Sequence, residues 1–238
     1  MNRARLFALF ALVCAGMLFH EIPWFIKEVP GQSYLPAVTA EQLKVQCRVD
    51  GTDEDDLLRD LVGAATEMAE VDSRRAFISR QFTLQMDQFP YWGQLDRQSI
   101  ERTSQAVGVF YGGGIDVRKC PVVSIDSLKY LDTTGTQQTL ASDGSAYVTD
   151  LLSEPARIYP AYGVPWPITR WQSAAIQITF TAGYGPTADT IPYRAKNAIR
   201  MLAAHWYWHR ESVGSVGEEI AQGYWACINS LRWSASPV

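Results

Sequence analysis

The sequence predicts an α+β protein in which helices from the two ends of the chain form one bundle, with a small antiparallel β barrel or sandwich inserted between them. Three observations predict it. Apolar residues recur at helical spacing over residues 39–69 and again after Pro186, they alternate from Phe82 onward, and turn signals divide residues 115–184 into short strands. The 238 residues, 47% hydrophobic, suffice for one large domain or a domain with a sizeable insertion, and they exclude disorder as the overall state. The expected division is an extension or arm at 1–34, a helical domain built from 35–80 and 190–238, and an inserted β region at 81–189 with a long loop at 91–114.

Arg3 and Arg5 precede "LFALFALVCAGMLF", which reads like the charged and apolar parts of a secretory signal, with "VCA" before Gly16 as a cleavage site. The apolar run between Arg5 and His20 falls short of the roughly 18 residues that a membrane span needs, so no stable membrane association is expected. Val13 stands where a lipoprotein signal needs a small residue before Cys14. Cleavage would leave three cysteines, an odd number for an oxidising compartment. A signal peptide, an N-terminal arm and an upstream-assigned start all stay open.

Thr39 with Gln42 three residues on forms a capping box, so a short helix should follow and stop near Asp50-Gly51. A second helix should start with Asp53 as its cap and acids in its first turn, where they complement the positive helix end. Leu57, Leu58, Leu61, Val62, Ala65, Met68 and Ala69 give it an apolar face. The acids do not make a calcium loop, because Gly51 falls second after Asp50 and no glutamate closes a twelve-residue frame.

Phe82, Leu84 and Met86 share one face of a strand that Pro90 ends. Further strands are expected at "IDVRK", "VVSIDSLKYLD", "QQTL", "AYVTD", "ARIYP" and "AAIQITFTAGY", with "TTG" and "SDG" among the turns. "GGGID" lacks the spacing of a phosphate-binding loop, and Ser142, Ser145 and Ser215 sit in no nucleophile elbow.

After Pro186 a helix starts with Pro192 in its first turn, where the missing N–H costs nothing. Ala195, Ile199, Leu202 and Trp206 share its core stripe, flanked by Ala198 and His209, while Met201 and Trp208 form a second apolar patch. His205 and His209 fall on neighbouring turns, a spacing compatible with two metal ligands. The third histidine, His20, lies in the apolar leader, so no third imidazole is at hand and a structural role for both is the better reading. A last helix should bury Ile220, Tyr224, Cys227 and Leu231, with Trp225 and Trp233 off that stripe.

Composition narrows the function. A net charge of −4 and no basic run longer than two residues argue against wrapping nucleic acid. Four scattered cysteines support neither a zinc site nor a disulfide framework. No catalytic constellation, cofactor site or metal site is expected. Eight tryptophans exceed what one core needs and point to assembly.

The pieces "VTAEQLKVQCRVDGTDEDDLLRDLVGAATEMAE", "SRRAFISRQFTLQMDQFP", "PVVSIDSLKYLD", "SEPARIYPAYGVPWP", "ITFTAGYG" and "IPYRAKNAIRMLAAHWYWHRESV" together resemble, in order, the head-tail connector or adaptor (head completion) proteins of tailed bacteriophages. They span roughly residues 36–213. The resemblance implies a structural virion protein, made in the host cytoplasm, whose copies form a dodecameric ring in the neck. The ring would bind the portal above and a tail or stopper protein below, and DNA would pass through its channel without sequence-specific binding. Candidate contact residues for subunits or partners are Met201, Trp208, Tyr224, Trp225 and Trp233, together with Tyr91, Trp92 and Tyr111 in the 91–114 loop. Two other readings compete: an exported carbohydrate- or protein-binding β module with a signal peptide, and a metal-dependent hydrolase using His205 and His209.

Overall fold

Residues 24–32, 35–90, 113–209 and 217–232 are described in the computed structural model of the chain. The leader, most of the 91–114 loop and Trp233 therefore lie outside the described residues. Helix α1 (Ala40–Cys47) opens as its sequence demands. The Thr39 hydroxyl accepts from the Gln42 N–H, and the Gln42 side chain accepts from the Thr39 N–H, each at 3.3 Å. The helix stops at Cys47, ahead of Asp50-Gly51, because Arg48 turns into the left-handed region at φ 55°. Thr39→Ala removes an exposed cap, so it should cost about 1 kcal/mol and lower the thermal midpoint by about 2–4 °C, read by calorimetry.

Helix α2 (Asp55–Ser73) corrects one expectation, since Asp53 does not cap it. Glu54 occupies the cap position and makes no cap hydrogen bond. Its carboxylate instead accepts the Tyr207 hydroxyl, and Asp55 pairs with Lys44, so these acids brace the helix start against its neighbours. The buried stripe is Leu58, Val62, Ala65 and Ala69, whereas Leu57 and Met68 are exposed and Leu61 is half-buried. One narrow face suffices because α2 packs against α1, α3 (Tyr193–Trp208) and α4 (Gly217–Asn229) from the same side.

On α3 the buried residues are Ala195, Ala198, Ile199, Leu202, Ala203 and Tyr207. Trp206, expected within the stripe, is only partly buried, and His209 is an exposed residue that ends the helix. On α4 Tyr224 and Ile228 are buried, while Cys227 and Leu231 pack at the margin. These four helices, with Phe77, Ile78 and Ile191, enclose the first apolar core.

Strands β1 (Trp24–Glu28), β2 (Arg80–Met86), β8 (Ile176–Ala182), β4 (Val122–Leu131) and β5 (Gln137–Leu140) form an antiparallel sheet in that order. Strands β3 (Ile115–Val117), β7 (Ala156–Pro160) and β6 (Tyr147–Asp150) form a second one. Phe82, Leu84 and Met86 face inward as their alternation requires, opposite Phe180, Ile178 and Ile176. They meet Ile115, Val117, Tyr147 and Ile158 from the smaller sheet in one apolar cluster. The barrel alternative is thereby corrected: β1 and β5 end the larger sheet unpaired with each other, so the arrangement is two sheets sharing a core and no closed barrel.

Strand β1 falls in the segment the sequence assigns to an extension. Its Ile26 pairs with Leu84, and the Gln32 side-chain amide then continues the ladder by bonding both the carbonyl and the N–H of Gln81, at 2.8 and 2.7 Å.

Two polar junctions tie helices to strands. The Arg80 guanidinium, 8% exposed, bonds Glu28 at 2.8 Å and pairs with Glu70, itself 6% exposed. Burial opposes the Arg80 charge, but Glu70 and then Glu28 outweigh it and raise its pKa. Glu70 also accepts the Phe77 N–H at 2.7 Å. Arg75 grips Glu154 through two bonds of 2.7 and 2.5 Å and donates to the Leu231 carbonyl. Beside this junction Gly183, at φ 141°, lies against the Ser79 backbone, where a Cβ has no room.

Candidate functional site

The two histidines come together without making a metal site. On α3 their rings stand 4.4 Å apart at 30°, and His209 Nδ1 lies 3.1 Å from the His205 carbonyl. Burial, with His209 adding to it, lowers the His205 pKa and favours its neutral form. Among the described residues no group of three or more His, Cys, Asp or Glu is placed to hold a metal ion. No helix among them is long and apolar enough to cross a membrane.

The five aromatic or thioether residues expected on the C-terminal helices separate once packing is considered. Trp208 stays 64% exposed at the end of α3, edge-on to Tyr207 at 5.2 Å. Met201 is half-buried and lies against Gly223, so α4 covers much of the patch that the sequence leaves open. Trp225 is partly buried against the helical core. Tyr224 is inside the chain, its hydroxyl donating to Asp72 at 2.7 Å, and burial together with Asp72 pushes its pKa up. It joins α4 to α2 within the chain. Trp233, Tyr91, Trp92 and Tyr111 lie outside the described residues.

A surface that the sequence reading passes over lies in residues 161–174. Tyr162 is fully exposed, Trp171 is 93% exposed and Ile168 is 70% exposed. Yet the loop is firmly held. Trp166 stacks on Phe89 at 4.6 Å and 5°, and its indole N–H donates to the Gly113 carbonyl at 2.9 Å. The Arg170 N–H bonds the Leu131 carbonyl at 3.0 Å, and the Ala174 N–H bonds Asp87 at 2.8 Å. The smaller sheet adds an exposed cross-strand pair, Val148 and Tyr159, with the Tyr159 ring lying over Gly114. Large rings held open on an anchored backbone can bind a protein surface without first losing loop entropy. The signal was in "YGVPWPITRW": three aromatics around two prolines, with no period that could bury them all.

No family model matches the chain, and no curated protein matches it. Solved structures do. A chain in the neck of an empty gene transfer agent particle, computed with C6 symmetry, superposes with a TM-score of 0.68 at 20% identity, over 90% of this chain and 97% of that one. A chain from the virion of the native gene transfer agent particle gives 0.64 at 20% identity, with the same coverage. A chain in the neck of the native particle, computed with C12 symmetry, gives 0.61 at 21% identity, again over 90% and 97%. The likeness covers 90% of the chain and establishes the fold.

Proposed function

We propose that this chain is a structural, non-catalytic subunit of a virion neck. Copies of it close into a ring between the portal and the tail of a tailed phage, extend the DNA channel and dock the next tail component. The observation that carries this reading is the fold likeness, along 90% of the chain, to chains in particle necks computed with C6 and C12 symmetry. A ring closes only through head-to-tail contacts, in which one face of each copy fits a different face of the next. The anchored loop with Tyr162, Ile168 and Trp171 suits one such contact or the docking of a partner, and Trp208 adds a second exposed ring. A net charge of −4 suits a channel wall that DNA slides past without being gripped.

The purified chain, weighed by mass photometry alone and with its portal, should give particles of one ring size. Replacing Tyr162 and Trp171 with serine should shift stability by no more than about 0.5 kcal/mol, because both side chains are exposed. The same pair should weaken assembly about tenfold or more, as truncated aromatic anchors do. A wild-type chain that stays monomeric under every condition would overturn the ring. Unchanged assembly in the double variant would remove this loop from the contact.

A further inference from the structure

Where α2 ends, it meets β1, β2 and the residues after β3 around a pocket of about 480 Å³, lined by Glu28, Glu70, Arg74, Phe82, Arg118 and Lys119 among others. Arg80 pairs with both carboxylates, and the cations Arg74, Arg118 and Lys119 stand on the walls. Three cations thus stand beside two carboxylates that Arg80 already pairs with. Lys119 makes no hydrogen bond or ion pair with the described residues. Its ammonium lies 5.6 Å from the Phe82 ring centre, and burial, with Arg80 adding to it, lowers its pKa against the opposing attraction of Glu70 and Glu28. A carboxylate entering the pocket would meet an ammonium that has no hydrogen-bonded acceptor among the described residues and is attracted only at longer range by Glu70 and Glu28.

The other end of the same helix, about 27 Å away at 1.5 Å per residue, is its opposite in sign. Asp50, Asp53, Asp56 and Asp60 are all exposed there. Asp56 has only a solvent-exposed pairing with Arg59, worth little. Each copy therefore carries a cationic socket and an acidic plug at opposite ends of α2.

We propose that the socket around Lys119 and Arg118 receives the acidic start of α2, with Asp56 and Asp60, from a second copy of this chain, and that this contact joins neighbours head to tail. The inference rests on the ring reading and supplies the contact that the exposed loop alone does not. Its charge also predicts salt sensitivity, because paired charges at a rim are screened within about 10 Å at 0.1 M salt.

The test uses full-length chains bearing Lys119→Glu or the pair Asp56→Lys and Asp60→Lys, each checked for folding by circular dichroism. Either alone should assemble about tenfold more weakly than wild type or worse. Mixed in equal amounts, they should regain assemblies larger than a dimer, because reversed sockets now meet reversed plugs in alternation. Lys119→Gln, which introduces no charge beside Glu70, should weaken assembly less and flatten its salt dependence. Single variants that assemble like wild type would overturn the proposal and leave the ring intact. So would a mixture that regains nothing, or one that stops at a closed dimer. A Lys119→Gln chain impaired only in portal binding would also overturn it, by giving the socket to another partner. A wild-type chain that never assembles would sink the ring reading itself.

Discussion

Arg80→Ala is expected to destabilise the protein by about 3–5 kcal/mol, because it strands the Glu70 carboxylate in a site that water scarcely reaches. Pairing with Arg80 is what makes that burial tolerable, and the Phe77 N–H with the longer-range attraction of Lys119 is a poor substitute. The thermal midpoint should fall by about 10 °C or more for a chain of this size. A second variant separates charge from packing. Removing both partners, as Arg80→Met with Glu70→Leu, should recover much of the loss, since a matched apolar pair leaves no buried charge. Glu28 is about one-third exposed and can turn to solvent. Urea unfolding of the three proteins decides the matter. A loss under about 1 kcal/mol in Arg80→Ala would mean that the junction is hydrated and contributes little.

The second large effect is expected at Trp166. Trp166→Ala should cost about 3–5 kcal/mol, from a cavity beside Phe89 and an orphaned Gly113 carbonyl. Trp166→Phe keeps a ring against Phe89 and gives up the hydrogen bond, so it should cost about 1–3 kcal/mol. Beyond stability, the alanine variant releases the middle of loop 161–174, where Tyr162 and Trp171 are displayed. If the loop is a contact surface, assembly should fall further in Trp166→Ala than the fraction of folded protein explains. Equal losses in folding and assembly would make Trp166 a core residue and nothing more.

Much of the fold could be read in the sequence wherever one residue's chemistry dictates its own surroundings. The Thr39–Gln42 box, the alternation from Phe82 to Met86 and the turn residues between the later strands are local signals, and each element stands where its signal lies. What escaped depends on partners distant in sequence. Strand β1 is five residues inside an apolar stretch, and only its pairing with β2 marks it as part of the sheet. Leu57 and Met68 match the helical period as well as Leu58 does, and which of them is covered depends on where the other helices stand. The same dependence governs the proposed contacts. Tyr224 and Trp208 look alike as aromatics on terminal helices, yet Asp72, 152 positions away, draws Tyr224 inside. Tyr162 and Trp171 obey no period, and only the two prolines between them mark the stretch as one that no regular element buries.

The Arg75 clasp joins positions 75, 154 and 231, which places its members just after α2, between β6 and β7, and just beyond α4. During synthesis the guanidinium emerges 156 positions ahead of its final acceptor. The Arg80 junction can close first, and this second fastening waits for α4; a chain that stops short of Leu231 carries Arg75 with an acceptor missing. The state of this one buried cation thus reports whether α4 has docked.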